Sequence, residues 1–204
     1  IWGVVMAICT MAVSLMVSYK VYDRSDLYKL PWLSNLNGKS VLNINAGFDE
    51  VSEIVKNDYP DCKLTLFDFY DAKKHTEVSI KRARKAYPPP PETIQVTTDM
   101  LPAYDSTFDF VLAVLSAHEI RNENERIIFF KELNRVTKPN GQVVVTEHVR
   151  DVYNFMAYTL GFLHFHSKST WSTTFARAGF IVQKELKTTP FITTFILEKH
   201  GDTF

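Results

Sequence analysis

Four side chains able to move protons stand as two adjacent pairs, His118-Glu119 and Glu147-His148, each directly after an apolar run that reads as a buried strand, 109–117 and 142–146. Histidine has an ordinary pKa of about 6.5, which suits general-base work near neutral pH. The same residues could instead bond backbone or cap helices. Together with His164 and His166, which an extended segment would point to one side, they also form a nitrogen and oxygen donor set of the kind iron or manganese takes. No HExxH or other regular ligand spacing accompanies them, so a metal-free site is the expectation. A nucleoside-like ligand is suggested elsewhere. Asp68 ends a strand-like run 21 residues beyond Gly47, where a carboxylate can accept both hydroxyl hydrogens of a ribose, and it could equally cap a helix. Asp99 could accept from an exocyclic amine such as that of adenine, or form a turn. The turn Asn43-Ile-Asn45-Ala46-Gly47 holds one glycine, so the full GxGxxG fingerprint of NAD binding is missing.

The scaffold that must position these residues is a single domain. The chain has 204 residues, the length of one domain with a short appendage. With 46% hydrophobic and 23% charged residues it can bury a core and is too apolar for a disordered chain. Lys plus Arg and Asp plus Glu balance at 23 each, so no global field draws it to nucleic acid, and no nucleic-acid partner is expected. Cys9 and Cys62 stand in unrelated contexts, which gives neither a disulfide framework nor a CxxC motif and fits a reducing compartment.

Residues 1–19 carry no charged side chain, and every charged residue lies from Lys20 onward. As a helix, that run reaches about 28 Å, close to the hydrocarbon thickness of a bilayer. Thr10, Ser14 and Ser18 recur every four residues, with Gly3 and Ala7 as further small residues, a spacing that lets another membrane helix approach. A membrane pass is therefore expected, the alternative being a buried helix of a soluble domain. The chain opens at Ile1 with no basic residues ahead of the run, so further sequence before it is expected and a signal peptide stays open. The tyrosines, Trp32 and basic residues of 19–32 suit a membrane interface, dividing the chain into a hydrophobic helix with its tether, 1–35, and a domain, 36–204.

From residue 40 onward strands and helices alternate. Strands are expected at 40–46, 63–68, 93–97, 109–117 and 142–146, and helices at 49–57, 73–86 and 124–136. Two closing strand-like runs, 180–186 and 191–198, lie too near each other for a helical crossover and should pair antiparallel. This is an α/β, Rossmann-like three-layer sandwich: a mostly parallel seven-stranded sheet ending in an antiparallel hairpin. In such sheets ligands sit outside the carboxyl ends of the strands.

The succession Val41-Leu-Asn-Ile-Asn-Ala-Gly47, Asp68, Asp99-Met-Leu-Pro102, Ser106-Thr-Phe-Asp109-Phe-Val and Phe130-Lys-Glu-Leu-Asn-Arg-Val-Thr-Lys-Pro-Asn-Gly141 resembles the small-molecule branch of the class I S-adenosylmethionine-dependent methyltransferases over 38–200. His118-Glu-Ile-Arg121, Glu147-His-Val-Arg-Asp151 and Gly161-Phe-Leu-His-Phe-His166 resemble a bacterial subgroup with an N-terminal membrane anchor. The resemblance implies S-adenosylmethionine as cofactor. Asn43, Asn45, Ala46 and Gly47 would face its methionine part, Asp68 and Phe69 its ribose side, and Asp99 with Met100 its adenine. It implies an in-line methyl transfer, with His118, Glu119, Glu147 and His148 as the candidates for any proton step. Asn43 stands where the family pattern has an acid and Asn45 where it has a glycine. That departure favours the competing class, a methyltransferase fold that binds without catalysing; a metal-assisted transfer of another group from the same cofactor is the third reading.

The aromatic stretch 153–171 lies where acceptor pockets vary in the resembled family, and with a membrane helix it suits a small apolar acceptor such as a phenol, a quinone or a prenyl lipid. Core packing would use the same residues. Lys73, Lys74, Lys81, Arg82, Arg84 and Lys85 against Glu77 could rest on anionic lipid or form a solvated face. The expected location is the membrane, with the catalytic domain in the cytoplasm.

Overall fold

The computed structural model describes residues 1–75 and 78–201. Seven strands form one sheet: β1 (Ser40–Asn45), β2 (Lys63–Asp68), β3 (Ile94–Gln95), β4 (Phe108–Val114), β5 (Thr137–His148), β6 (Phe180–Thr189) and β7 (Ile192–Lys199). Their order is β3-β2-β1-β4-β5-β7-β6. Neighbours pair in parallel from β3 to β5, while β7 runs antiparallel between β5 and β6. The chain goes outward from β1 to β2 and β3, then returns to place β4 on the other side of β1. This reversal opens the crevice in which sheets of this type bind ligands.

Period-two alternation builds both layers of the core. Leu42, Ile44, Val111, Ala113, Val143 and Val145 face one way, against Phe129 and Phe130 of α4 (Glu123–Val136) and Trp171 and Phe175 of α6 (Lys168–Arg177). Val41, Leu112, Val114 and Val144 face the other, against Val55 of α2 (Ser52–Asp58) and Leu30 and Leu36. Side-chain caps fix where these helices begin: Asn122 accepts from Glu125 N and Ser167 from Thr170 N.

The element boundaries differ from the sequence expectation where side chains intervene. The strand expected at 109–117 stops at Val114, because Leu115 takes φ of 50° and Ser116 Oγ donates to Ile44 O; a 3-10 turn, Ala117–Glu119, follows. The last parallel strand is longer than 142–146: its pairing steps from Phe108↔Thr137 to Phe110↔Gln142, so 138–141 bulge outward. Of the basic helix expected at 73–86, α3 (Val78–Ala86) is described, and Glu77 lies outside the described residues.

Helix α1 (Trp2–Tyr22) is almost bare. It is long and apolar enough to cross a membrane, with a mean hydropathy of 1.9 over its 18-residue window and 6% of that window buried. Its C-terminal end is different. Val21 is buried with Leu27 and Ile192, and Leu30 and Leu36 enter the core, so part of the tether is packed onto the domain. The α1 helix also contacts α5 (Val152–Tyr158).

Candidate active site

A cavity of about 270 Å³ opens at the carboxyl ends of β1, β4 and β5. Its polar walls are His118 and Glu119 from the turn after β4, Glu50 from the loop after β1, and His148 at the end of β5. Thus three of the four proton-handling candidates line one space. The fourth, Glu147, is fully buried behind His118 and grips it twice, Oε1 accepting from the backbone N at 3.1 Å and Oε2 meeting Nδ1 at 2.7 Å. His118 Nε2 points to Glu119 Oε1 at 3.3 Å.

Their electrostatics separate the two histidines. Burial alone would push His118 down, yet Glu147 and Glu119 outweigh it and hold its pKa up at about 10. On His148 burial prevails over the opposing contact with Asn154 and lowers its pKa to about 4. Both ring nitrogens of His148 are already engaged: Nδ1 with Asn154 Oδ1 at 3.0 Å and Nε2 with the Tyr22 hydroxyl at 2.9 Å. A neutral ring flanked in this way positions its neighbours and is badly placed to take up a proton. The Glu50 carboxyl is pushed up to about 7 chiefly by burial, although the Tyr28 hydroxyl donates to it and favours its charged form.

Beside the cavity lie the residues expected to hold a nucleoside-like ligand. Asn43 turns away from it, donating to Asp49 Oδ1 and Ser52 Oγ at 2.9 Å each, so it stabilises the β1–α2 loop. Asp49 Oδ1 in turn accepts from Ser52 N at 2.9 Å at the start of α2. Asn45 Oδ1 accepts from Gly47 N, and its Nδ2 is buried without a partner. Gly47 has φ of +103°, and a Cβ there would fall 2.8 Å from the Tyr70 ring, so only glycine leaves this turn open. Ala46 lines the cavity itself. Asp68 Oδ1 accepts from Tyr70 N at 2.8 Å, and Oδ2 accepts from Arg84 of α3. The same guanidinium donates to Gly47 O at 3.1 Å and lies 4.4 Å from the centroid of the Tyr70 ring. Phe69 and Asp99 border a second cavity between β2 and α4, whereas Met100 is exposed and does not line it.

These residues fit S-adenosylmethionine in chemistry. The unpartnered Asn45 Nδ2 beside the Gly47 turn is a donor suited to the amino-acid carboxylate, and Asp68 is an acceptor suited to ribose hydroxyls once Arg84 leaves it.

Several members of the site carry little local sequence signal of their role. In the sequence Arg84 is one charge of a basic helix, Tyr22 an interfacial tyrosine of the tether and Glu50 part of the helix expected at 49–57; each enters through contacts far along the chain, Tyr22 reaching His148 across 126 positions. One usable signal was Tyr22 following an uncharged run, an amphipathic residue at a membrane border.

Residues 44–145 match a family described as a methyltransferase domain. A search of curated proteins finds no significant match. Among solved structures the chain is similar to a SAM-dependent methyltransferase from Aquifex aeolicus, with 14% identity, a TM-score of 0.63 and coverage of 92% of this chain and 97% of that one. A SAM-dependent methyltransferase from Methanosarcina mazei gives 16% identity, a TM-score of 0.56 and coverage of 82% and 94%. The pyocyanin biosynthetic protein PhzM gives 15%, 0.62 and coverage of 91% of this chain and 57% of that one. At such identities the likeness is one of fold.

Proposed function

The chain belongs to the methyltransferase-domain family, and from that premise we propose that it transfers a methyl group from S-adenosylmethionine to a small, membrane-soluble acceptor carrying a hydroxyl. The observation that carries this reading is the position of Tyr22. The last residue of the apolar helix lines the same cavity as His118, Glu119 and Glu50, so an acceptor arriving along the membrane surface has a short path to the proton-handling groups. Tyr158 and Phe165 add aromatic wall to that path, and His148 stacks on Phe165 at 4.6 Å.

Asn45, Gly47 and Asp68 would hold the cofactor, which would supply an electrophilic sulfonium methyl. Holding an acceptor oxygen and that methyl together accounts for most of the acceleration in such displacements. The aromatic walls exclude water and orient the acceptor, and Glu50 takes the hydroxyl proton, its pKa near neutrality being matched to the task. His148, fixed by Tyr22 and Asn154, keeps the apolar helix seated on the cavity. The apolar helix anchors the domain, and the tyrosines and Trp32 lie at the bilayer border.

Calorimetric titration of the purified chain with S-adenosylmethionine and S-adenosylhomocysteine tests the premise. Micromolar binding of both is expected and justifies an acceptor screen among membrane-soluble phenols. A folded protein that binds neither ligand overturns the catalytic reading in favour of a binding module.

A further inference from the structure

Of six residues that could have formed a metal-binding group, three converge and the rest are committed elsewhere. His148 uses both nitrogens on Tyr22 and Asn154, and His166 faces the Arg126 guanidinium at 3.4 Å. Glu147 is spent on His118. His118, Glu119 and His164 each present one donor atom to a common point, all within 4.8 Å of one another. We propose that His118 Nε2, Glu119 and His164 Nε2 bind one divalent first-row metal ion at the wall of the cavity that takes the acceptor.

The distances suit an ion. His118 Nε2 and His164 Nε2 lie 3.3 and 3.7 Å from the same oxygen, Glu119 Oε1. A zinc-like ion bonded at about 2.1 Å to each donor spaces them by roughly 3.0–3.5 Å, so small side-chain movements close the set. Two imidazoles and one carboxylate favour zinc, iron, manganese or cobalt over magnesium or calcium, and three protein donors leave coordination positions for an acceptor oxygen. The surroundings are those of a metal histidine: the Nδ1 edge of His118 is bonded to the buried Glu147 carboxylate, which fixes the ring with Nε2 toward the cavity. Among the described residues the cavity lining also includes the carboxyl of Glu50 and contains no lysine or arginine.

The contact between Arg121 and His164 opposes loading. The Arg121 guanidinium meets Nδ1 and the carbonyl of His164, and a ligating Nε2 requires the Nδ1–H form of that ring. Arg121 is exposed and must withdraw from Nδ1 when the ion enters. This makes its removal a sensitive test.

This inference concerns the cavity used in the proposed methyl transfer and does not rest on that reading, because binding is measured without cofactor or acceptor. The full chain in detergent is stripped with chelator, dialysed against Zn2+ or Co2+, and assayed for retained metal and for the visible absorption of bound Co2+. One equivalent is expected. His164→Ala and Glu119→Gln should each weaken binding by about a hundredfold and Glu147→Gln by about tenfold, while His166→Ala leaves it unchanged. Arg121→Ala should tighten it. Circular dichroism confirms that each variant is folded, and S-adenosylhomocysteine titration of the same samples reports the cofactor site separately. Absence of retained metal in folded wild-type protein overturns the proposal, as does one equivalent bound equally well by the His164→Ala and Glu119→Gln variants.

Discussion

Arg84 of α3 is bound to Asp68, the acid at the end of β2, with Nη1 donating to Oδ2. The Asp68 side chain is 2% exposed and that of Arg84 22%, so the pair is largely shielded from solvent. The guanidinium also reaches Gly47 O and the Tyr70 ring, and so holds the position that a ribose on Asp68 would need. A ligand held by Asp68 would first have to break this contact, and its apparent affinity would be scaled down to the fraction of molecules in which the contact is open.

Two substitutions read that competition from its two ends. Asp68→Ala should abolish S-adenosylhomocysteine binding while the protein stays folded. Arg84→Gln should tighten binding by about tenfold, the effect of freeing an acceptor that is closed nine times in ten. Calorimetric titration measures both. Unchanged affinity in Asp68→Ala would remove the acid from the cofactor site, and weaker binding in Arg84→Gln would show that the guanidinium holds the ligand instead of competing with it.

Gly47→Ala tests the turn on the other side of the same pair. The new methyl would meet the Tyr70 ring at 2.8 Å and Arg84 Nη1 at 3.1 Å, on a backbone whose φ of +103° an alanine rarely adopts. A cost of about 2 kcal/mol is expected, which for a chain of this size lowers Tm by roughly 4–8 °C in a thermal melt. An unchanged Tm would mean that the loop rearranges freely.

Much of this arrangement was legible in the sequence, for identifiable reasons. The strand core 110–114 announces itself because burial on both faces demands an unbroken apolar run, and the pairs His118-Glu119 and Glu147-His148 stand out because strand ends in such sheets face the ligand. What was not legible depends on contacts between distant segments. Nothing local distinguishes Arg84, which turns inward to Asp68, from Lys81 or Lys85 on the same helix. Asn43 is named by the family pattern as a ligand residue, yet Asp49 and Ser52 claim its amide for the loop. The same holds for the division among the six metal-donor candidates, since only packing shows which of their nitrogens are already bonded.

The apolar helix yields a prediction of location. Removing residues 1–19 should shift the protein from the membrane fraction to the soluble fraction while leaving Val21 and Tyr22, which pack on the domain, in place. Fractionation followed by immunoblotting measures it. Full-length protein found in the soluble fraction would refute the anchor, and the bare face of α1 would then need another covering.

Acid should destabilise the fold through His148. Its pKa is about 4 in the folded protein, chiefly because burial disfavours the charged ring, against about 6.5 for an unperturbed histidine in the unfolded chain. Between these values the unfolded chain binds a proton that the folded protein does not, so the contribution is complete above pH 6.5 and is lost as pH falls toward 4. The loss between about pH 7 and about pH 5 is roughly 2 kcal/mol. Thermal melts across this range should show Tm falling with pH. His148→Gln keeps an amide for Asn154 and carries no titratable group, so it should flatten the slope; a variant with the wild-type pH dependence would place the acid sensitivity on other residues.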